Sequence, residues 1–242
     1  MLSDFRIWLN HFDYHAQHPR CVPEGLQDLL TPEERVLISG SIATFQLGEQ
    51  SEGGTLMAAA RQFAHANSIP ELERIVELFI REEQRHASLL KEFMLDHAIA
   101  LKQRDWTDFV FRGVRRLAGF ELYLHVLVTA ELIGNVYYRS LESVTGCQRL
   151  RILCRTLVAD ELAHVGFESE LLRASRARKP AVARALIRLT HRAFFGCAAL
   201  VVWLTHRRVL RQSGYGIGSF VRVCLAQYQF HLEPPLAVQI PA

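Results

Sequence analysis

A chain of 242 residues, half of them apolar and 22% charged, is long enough for one sizeable core and has the balance of an ordinary globular protein. Its opening lacks the basic stretch and apolar run of a secretory leader, and its five cysteines include no C-x-x-C; a reduced, cytoplasmic protein is expected, and a disulfide scaffold, zinc ribbon or rubredoxin-type iron site is excluded. The net charge of +3 hides an imbalance, with 14 Lys+Arg against 20 Asp+Glu in residues 1–145 and 14 against 5 in residues 146–242.

Strand signals are nearly absent, and breakers separate stretches of helical periodicity. A short amphipathic stretch comes first (Phe5, Ile7, Trp8, Leu9, Phe12). Thr31-Pro32-Glu33-Glu34 then opens a long helix, with Thr31 as N-cap, Pro32 as first helical residue and Glu34 as capping-box acid. The spacing carries it to about Ala66, with Asn67-Ser68 as the stop. Pro70 opens a second helix to about Ala100. A third spans Trp106 to about Ser143, and a fourth Gln148 to about Ser175. A fifth runs from Pro180 to about Gln212, and a short helix near residues 220–230 and a proline-containing tail finish the chain.

Long helices with short connections predict an all-α bundle. The chain reads as one domain over 1–242, a bundle over about 32–175 with a basic helical extension over about 180–230. From Arg173 to Arg211 there are ten basic residues and no acidic one. That is either a solvated face or a contact surface for something anionic: an acidic carrier protein, a phospholipid surface, a phosphorylated substrate or RNA. Within it, residues 193–205 are almost wholly apolar but too short to cross a bilayer. A buried core helix is expected there, ahead of a helix lying on a membrane or covering an apolar substrate channel.

Glu-x-x-His occurs twice, as Glu83-Gln84-Arg85-His86 and Glu161-Leu162-Ala163-His164. One copy is a weak signal, since roughly one is expected by chance. On a helix, positions three apart share a face, so the carboxylate and imidazole reach one ion together. Oxygen and imidazole donors suit iron or manganese. Glu49 and Glu131 precede the two motifs by 34 and 30 residues, each on the preceding helix. Glu, Glu-x-x-His, Glu, Glu-x-x-His on successive helices is the ligand plan of two-metal carboxylate bundles. Glu131 lies among Leu127, Val128, Leu132 and Ile133, where a carboxylate is costly without a cation. Glu52 is the alternate ligand on the first helix, its bland reading an exposed acid beside Gly53-Gly54. His125 lies about a third of a turn off the face of Glu131 and is expected to be packed or exposed. One of Tyr137 and Tyr138 could line the cavity or bond a ligand, with packing the expectation for both.

The strings Gly48-Glu49-Gln50, Glu83-Gln84-Arg85-His86, Ala130-Glu131-Leu132 with Tyr137-Tyr138, and Asp160-Glu161-Leu162-Ala163-His164 resemble the ferritin-like di-iron superfamily over about Leu37 to Leu172. They are most similar to the cyanobacterial aldehyde-deformylating oxygenases, where a Gly-Glu-Gln and a Glu-Gln-Arg-His occupy these places. Rubrerythrins also carry Gly-Glu on the first helix, which favours Glu49 over Glu52. The resemblance implies a ferritin-like four-helix bundle with additional N- and C-terminal helices. It implies one iron on Glu49, Glu83 and His86 and a second on Glu131, Glu161 and His164, with carboxylates bridging them. Asp160 would support His86, and Glu82 would support His164. The chain departs from relatives at Leu90, where a ribonucleotide-reductase small subunit has its radical tyrosine, and at Leu157, where an arylamine N-oxygenase has an extra histidine.

The implied function is a di-iron or manganese–iron oxidoreductase that uses O2 to oxidise a small, largely apolar substrate. Its electrons would come from a separate donor, because flavin and iron–sulfur signatures are missing. A substrate borne on an acidic carrier would dock on the basic 173–211 face, and homodimerisation is compatible with the apolar surface. Iron handling or peroxide detoxification, and a tRNA-directed hydroxylase, remain as alternatives.

Overall fold

The computed structural model describes residues 5–23, 28–50, 53–104 and 119–233, all-helical apart from the connections. α1 covers Arg6–Gln17, α2 Pro32–Glu49, α3 Gly54–Asn67, α4 Leu72–Asp96, α5 Phe120–Ser143, α6 Gln148–Ala177, α7 Ala181–Gln212 and α8 Ile217–Leu232. The capping box forms as the sequence predicts: Thr31 Oγ1 accepts from the Glu34 amide, and the Glu34 carboxylate accepts from the Thr31 amide. Glu34 also accepts from the Gly146 amide and the Thr145 hydroxyl, which stitches the start of α2 to the tight α5–α6 turn.

Two boundaries differ from the sequence reading. The helix expected from Pro32 to about Ala66 is split into α2 and α3. Gly53 sits there at φ +70°, and a Cβ on it would come within 2.5 Å of Ile80. Only glycine tolerates both conditions, so the chain turns beside α4 instead of running straight on. The helix expected from Trp106 is described from Phe120 onward. Trp106 lies outside the described residues, as do Glu52 and the proline-containing tail.

α2, α4, α5 and α6 form the central bundle: α5 pairs with α6, α2 packs on α4, and α4 meets α6 across the middle. α4 buries Leu72, Ile75, Val76, Phe79, His86, Leu90 and Phe93 at helical spacing, which gives it one inward face. α5 is buried nearly all round, because α6, α3, α7 and α8 each take a side of it. α1 lies over α4, and its Trp8 fits against Gly166 of α6, where a Cβ would come within 2.7 Å of the indole. The Trp8 indole nitrogen also donates to Glu170 at 2.7 Å.

α7 is the outermost helix. Its inner face buries Phe195, Ala199, Trp203 and Val209, and it is pinned by polar contacts as well. His191 Nε2 donates to the backbone oxygen of His125 at 3.2 Å and lies 3.0 Å from the Thr129 hydroxyl. His206 Nδ1 lies 2.8 Å from Ser41 on α2. The expectation of a buried core helix over residues 193–205 holds for this face alone. By length and composition α7 could cross a membrane (mean hydropathy 1.5 over its most apolar stretch), yet only 22% of that stretch is buried. The physical reason is position: the bundle covers one side of α7 and nothing described covers the other.

Candidate metal centre

α2 delivers Glu49, α4 Glu83 and His86, α5 Glu131, and α6 Glu161 and His164, and all six converge between the helices. They fall into two overlapping donor sets, Glu49, Glu83, His86 and Glu161 in one, and Glu83, Glu131, Glu161 and His164 in the other. Within each set, one donor atom per residue lies within 4.8 Å of all the others. Glu83 and Glu161 belong to both. The two glutamates of the Glu-x-x-His motifs are therefore shared, while Glu49 and Glu131 each belong to one set only.

The histidine rings settle their own orientation. His86 Nε2 faces Asp160 Oδ2 at 3.2 Å and His164 Nε2 faces Glu82 Oε2 at 3.1 Å. A carboxylate only accepts, so each Nε2 carries the hydrogen and each neutral ring turns a lone pair inward at Nδ1. Those Nδ1 atoms look at more acceptors: His86 Nδ1 is 3.2 Å from Glu161, and His164 Nδ1 is 3.1 Å from Glu83 and 3.4 Å from Glu161. Both Nδ1 atoms are buried without a hydrogen-bond partner, as are Glu83 Oε1, Glu161 Oε2 and both oxygens of Glu131. Lone pairs at these separations repel unless a cation lies between them. Oxygen and imidazole donors in this number fit a pair of borderline-hard metal ions.

The ionisation of the cluster says the same. Burial pushes the carboxyls of Glu49 and Glu131 well above their ordinary value of 4.5; Glu83 adds to this on Glu49, and Glu168 does on Glu131. Burial also opposes charging of His86 and His164, but the carboxylates around each ring outweigh it and raise both well above 6.5. On Glu83 burial is outweighed by the His164 and His86 imidazoles, which hold it well below 4.5. Protons are being retained where metal charge would otherwise serve.

Outside the donors, charge is arranged in pairs. Asp160 accepts from Arg20 at 2.7 Å and from Arg85, and Glu82 accepts from Arg85 at 3.3 Å. For Asp160 these contacts and His86 overcome burial and bring the carboxyl down to about 2. The expected supports are thus both in place, and each crosses over: the acid before one motif's glutamate holds the other motif's histidine. His15 lies near both acids. Phe12 stacks on His164 at 5.8 Å and Phe79 lies 4.4 Å from it, which seals the histidine side.

The carboxylate side is open. A cavity of about 150 Å3 reaches Glu49, Glu83, Glu131 and Glu161 and is walled mainly by Phe45, Val126, Leu127, Ile133 and Val202. Thr44, Tyr138 and His206 are its polar wall residues beside the glutamates.

Two residues of the site, Glu168 and Arg20, were not assigned a role from the sequence. For Tyr138 the alternative to packing holds: its hydroxyl donates to Glu49 Oε1 at 2.5 Å while its ring lines the cavity. Tyr137 does pack, face to face with Phe45 at 3.6 Å. Glu168 is fully buried with neither oxygen hydrogen-bonded, its carboxyl faces Glu131, and burial pushes its pKa well up. Tyr138 and Glu168 each follow a ligand glutamate by seven residues, two turns along the same face, and that spacing was the available signal. Arg20, from the segment after α1, carried no local signal. His125 is packed, as expected, and lies far from the donor sets in a second buried cluster with His191.

Compared with protein-family models, curated proteins and solved structures, the chain matches none.

Proposed function

We propose that the chain is a ferritin-like, non-haem di-iron oxygenase that oxidises a small, largely apolar substrate with O2. The observation that carries this reading is the apolar cavity on the carboxylate edge of the donor cluster, opposite the sealed histidine edge. Glu49, Glu83, His86 and Glu161 would hold one ion, and Glu83, Glu131, Glu161 and His164 the other. Bound as a reduced pair, iron would supply the electrons that activate O2, and manganese at one position suits the same donors.

The chain's own residues do the rest. Phe45, Val126, Leu127, Ile133 and Val202 bind an apolar body and exclude water beside the glutamates. The Tyr138 hydroxyl fixes Glu49 and holds a proton at the cavity edge. Four ligand carboxylates would balance two divalent ions, so Glu168 beside such a pair would stay protonated, facing Glu131. Asp160 and Glu82 keep the imidazoles in their metal-ready tautomer. Electrons enter from a separate donor protein.

Anaerobic loading with ferrous iron, followed by O2 uptake with chemical reductant and a panel of apolar aldehydes, acyl chains and amines, tests the proposal. About two irons per chain are expected, with uptake stimulated by an apolar substrate and suppressed by Val202→Phe, which fills the cavity without touching a ligand. Uptake that ignores every substrate and stops once the iron is oxidised would favour iron handling. Less than about half an equivalent of iron in folded protein would sink the metal reading itself.

A further inference from the structure

The outer face of α7 has a pattern that the metal centre does not use. Val182, Leu186, Leu189, Leu200 and Leu204 are 82%, 60%, 68%, 39% and 51% exposed. With exposed Ala193 and Cys197 between them, their spacing of three or four residues draws one continuous apolar ridge. From Val182 to Leu204 the ridge is about 33 Å long at the rise of an α-helix. Exposed Arg207, Arg208 and Arg211 close its end, while Arg184 and Arg188 share the stripe of His191 and Phe195 and point away from it. Arg207 and Arg208 make no ion pair among the described residues, and α7 has no acidic residue.

We infer that α7 lies flat on an anionic phospholipid surface, its ridge sunk among the acyl chains and the arginine cluster at its C-terminal end on the headgroups. Burying exposed leucines and valine releases water from apolar area, and each arginine near the surface adds attraction to anionic lipid. A second copy is a poor occupant, because laid parallel it would bring one arginine cluster against the other, and laid antiparallel it would offer that cluster no acidic residue of α7. An acidic protein would answer the arginines, yet it would need a complementary apolar groove of the same length. A bilayer needs none, since it closes round any ridge. The inner face argues for lying on the membrane instead of crossing it. His191, His206 and Trp203 are buried against the bundle there and fixed by hydrogen bonds to α5, α2 and the backbone oxygen of Tyr215.

The same helix contributes Val202 and His206 to the cavity wall. Docking therefore brings lipid to one helix thickness from the cavity, about 10 Å. That an apolar substrate reaches the cavity from the membrane rests on the proposed oxygenase reading; the docking does not.

The experiment uses the purified full chain and vesicles of equal parts phosphatidylcholine and phosphatidylglycerol, with vesicles of phosphatidylcholine alone as comparison. Co-sedimentation is expected with the anionic vesicles, at least tenfold weaker with the neutral ones, and reduced by added salt. Leu186→Gln with Leu189→Gln leaves net charge unchanged and touches no buried residue. It should lower binding at least tenfold while the thermal melt by circular dichroism stays in place. Absence of sedimentation overturns the inference, and so does undiminished binding of the glutamine variant, which leaves only unspecific charge attraction. A wild-type dimer that the glutamine pair turns into monomers also overturns it, by assigning the ridge to a second copy. Retention through a high-salt and alkaline wash would mean insertion across the bilayer and overturn it too. Vesicle binding is read without metal or turnover, so its failure leaves the metal assay standing, and the reverse holds.

Discussion

Two pairs among the buried histidines have opposite surroundings. His86 and His164 present bare Nδ1 atoms to glutamates, and the carboxylates raise both rings well above their ordinary pKa. His125 and His191 lie with their Nδ1 atoms 3.0 Å apart, and the Arg176 guanidinium approaches the same atoms at 3.5 and 3.3 Å. Because His191 Nε2 donates to a backbone oxygen, its Nδ1 is an acceptor, and donors surround its one lone pair, His125 at 3.0 Å and Arg176 and Tyr228 at 3.3 Å. That pair is satisfied and neutral. Burial, with Arg176 adding to it, brings His191 down to about 4, while burial and His191 bring His125 down to about 2. Burial alone does not make a metal site; what differs is whether the partner groups donate or only accept.

The largest test of that contrast is metal content. Glu83→Ala or Glu161→Ala should take the protein from about two ions per chain to less than half of one, because each removes a donor shared by both sets. His125→Gln with His191→Gln should retain both ions, measured by elemental analysis of folded protein. If the second pair proves as necessary as the first, the contrast is wrong.

A step smaller is Asp160→Asn. It keeps the shape but weakens the hold on the His86 tautomer and takes the carboxylate charge from Arg20, and an affinity loss of about 10–100-fold is expected in a chelator competition titration.

The pH dependence of stability separates the pairs by sign. His125 and His191 have lowered values, so their contribution is present above 6.5 and is lost as pH falls, His191's going first on the way to about 4. His86 and His164 in metal-free protein have raised values, so theirs is present below 6.5 and lost as pH rises. Thermal melts of metal-free protein between pH 7 and pH 4 should show a shallower acid limb for His125→Gln with His191→Gln than for the wild type. The smallest expected effect is Thr129→Val, which removes one hydrogen bond to His191. It should cost about 1 kcal/mol in chemical denaturation and leave metal content unchanged.

What could be read from the sequence follows from how local each signal is. The Glu-x-x-His pairs are three residues apart on one helix, so helical geometry places both donors before any packing is known. The Thr31 capping box is equally local. Gly53 looked like part of a continuing helix because the decisive facts, a left-handed backbone and contact with Ile80, belong to the fold. α7 was misjudged for a related reason: apolar composition says that a helix can be covered, and only the neighbouring helices say which side is. Arg20 reaches Asp160 across 140 positions of sequence, and no local pattern announces such a contact. Tyr138 and Glu168 were legible in principle, two turns from known ligands, but their residue types alone carry no metal-site signature.

The crossed supports tie the two donor sets together. Asp160 and Glu161 are neighbours on α6, yet one steadies the ring of His86 on α4 while the other belongs to both donor sets; Glu82 and Glu83 do the same in return for His164. Neither half of the repeat can assemble a complete socket by itself, since each borrows its histidine's anchor from the other. If both donor sets fill as proposed, occupation of one would organise the other. Metal would then be taken up as a couple and given up as a couple, with the singly filled form a scarce species between empty and full.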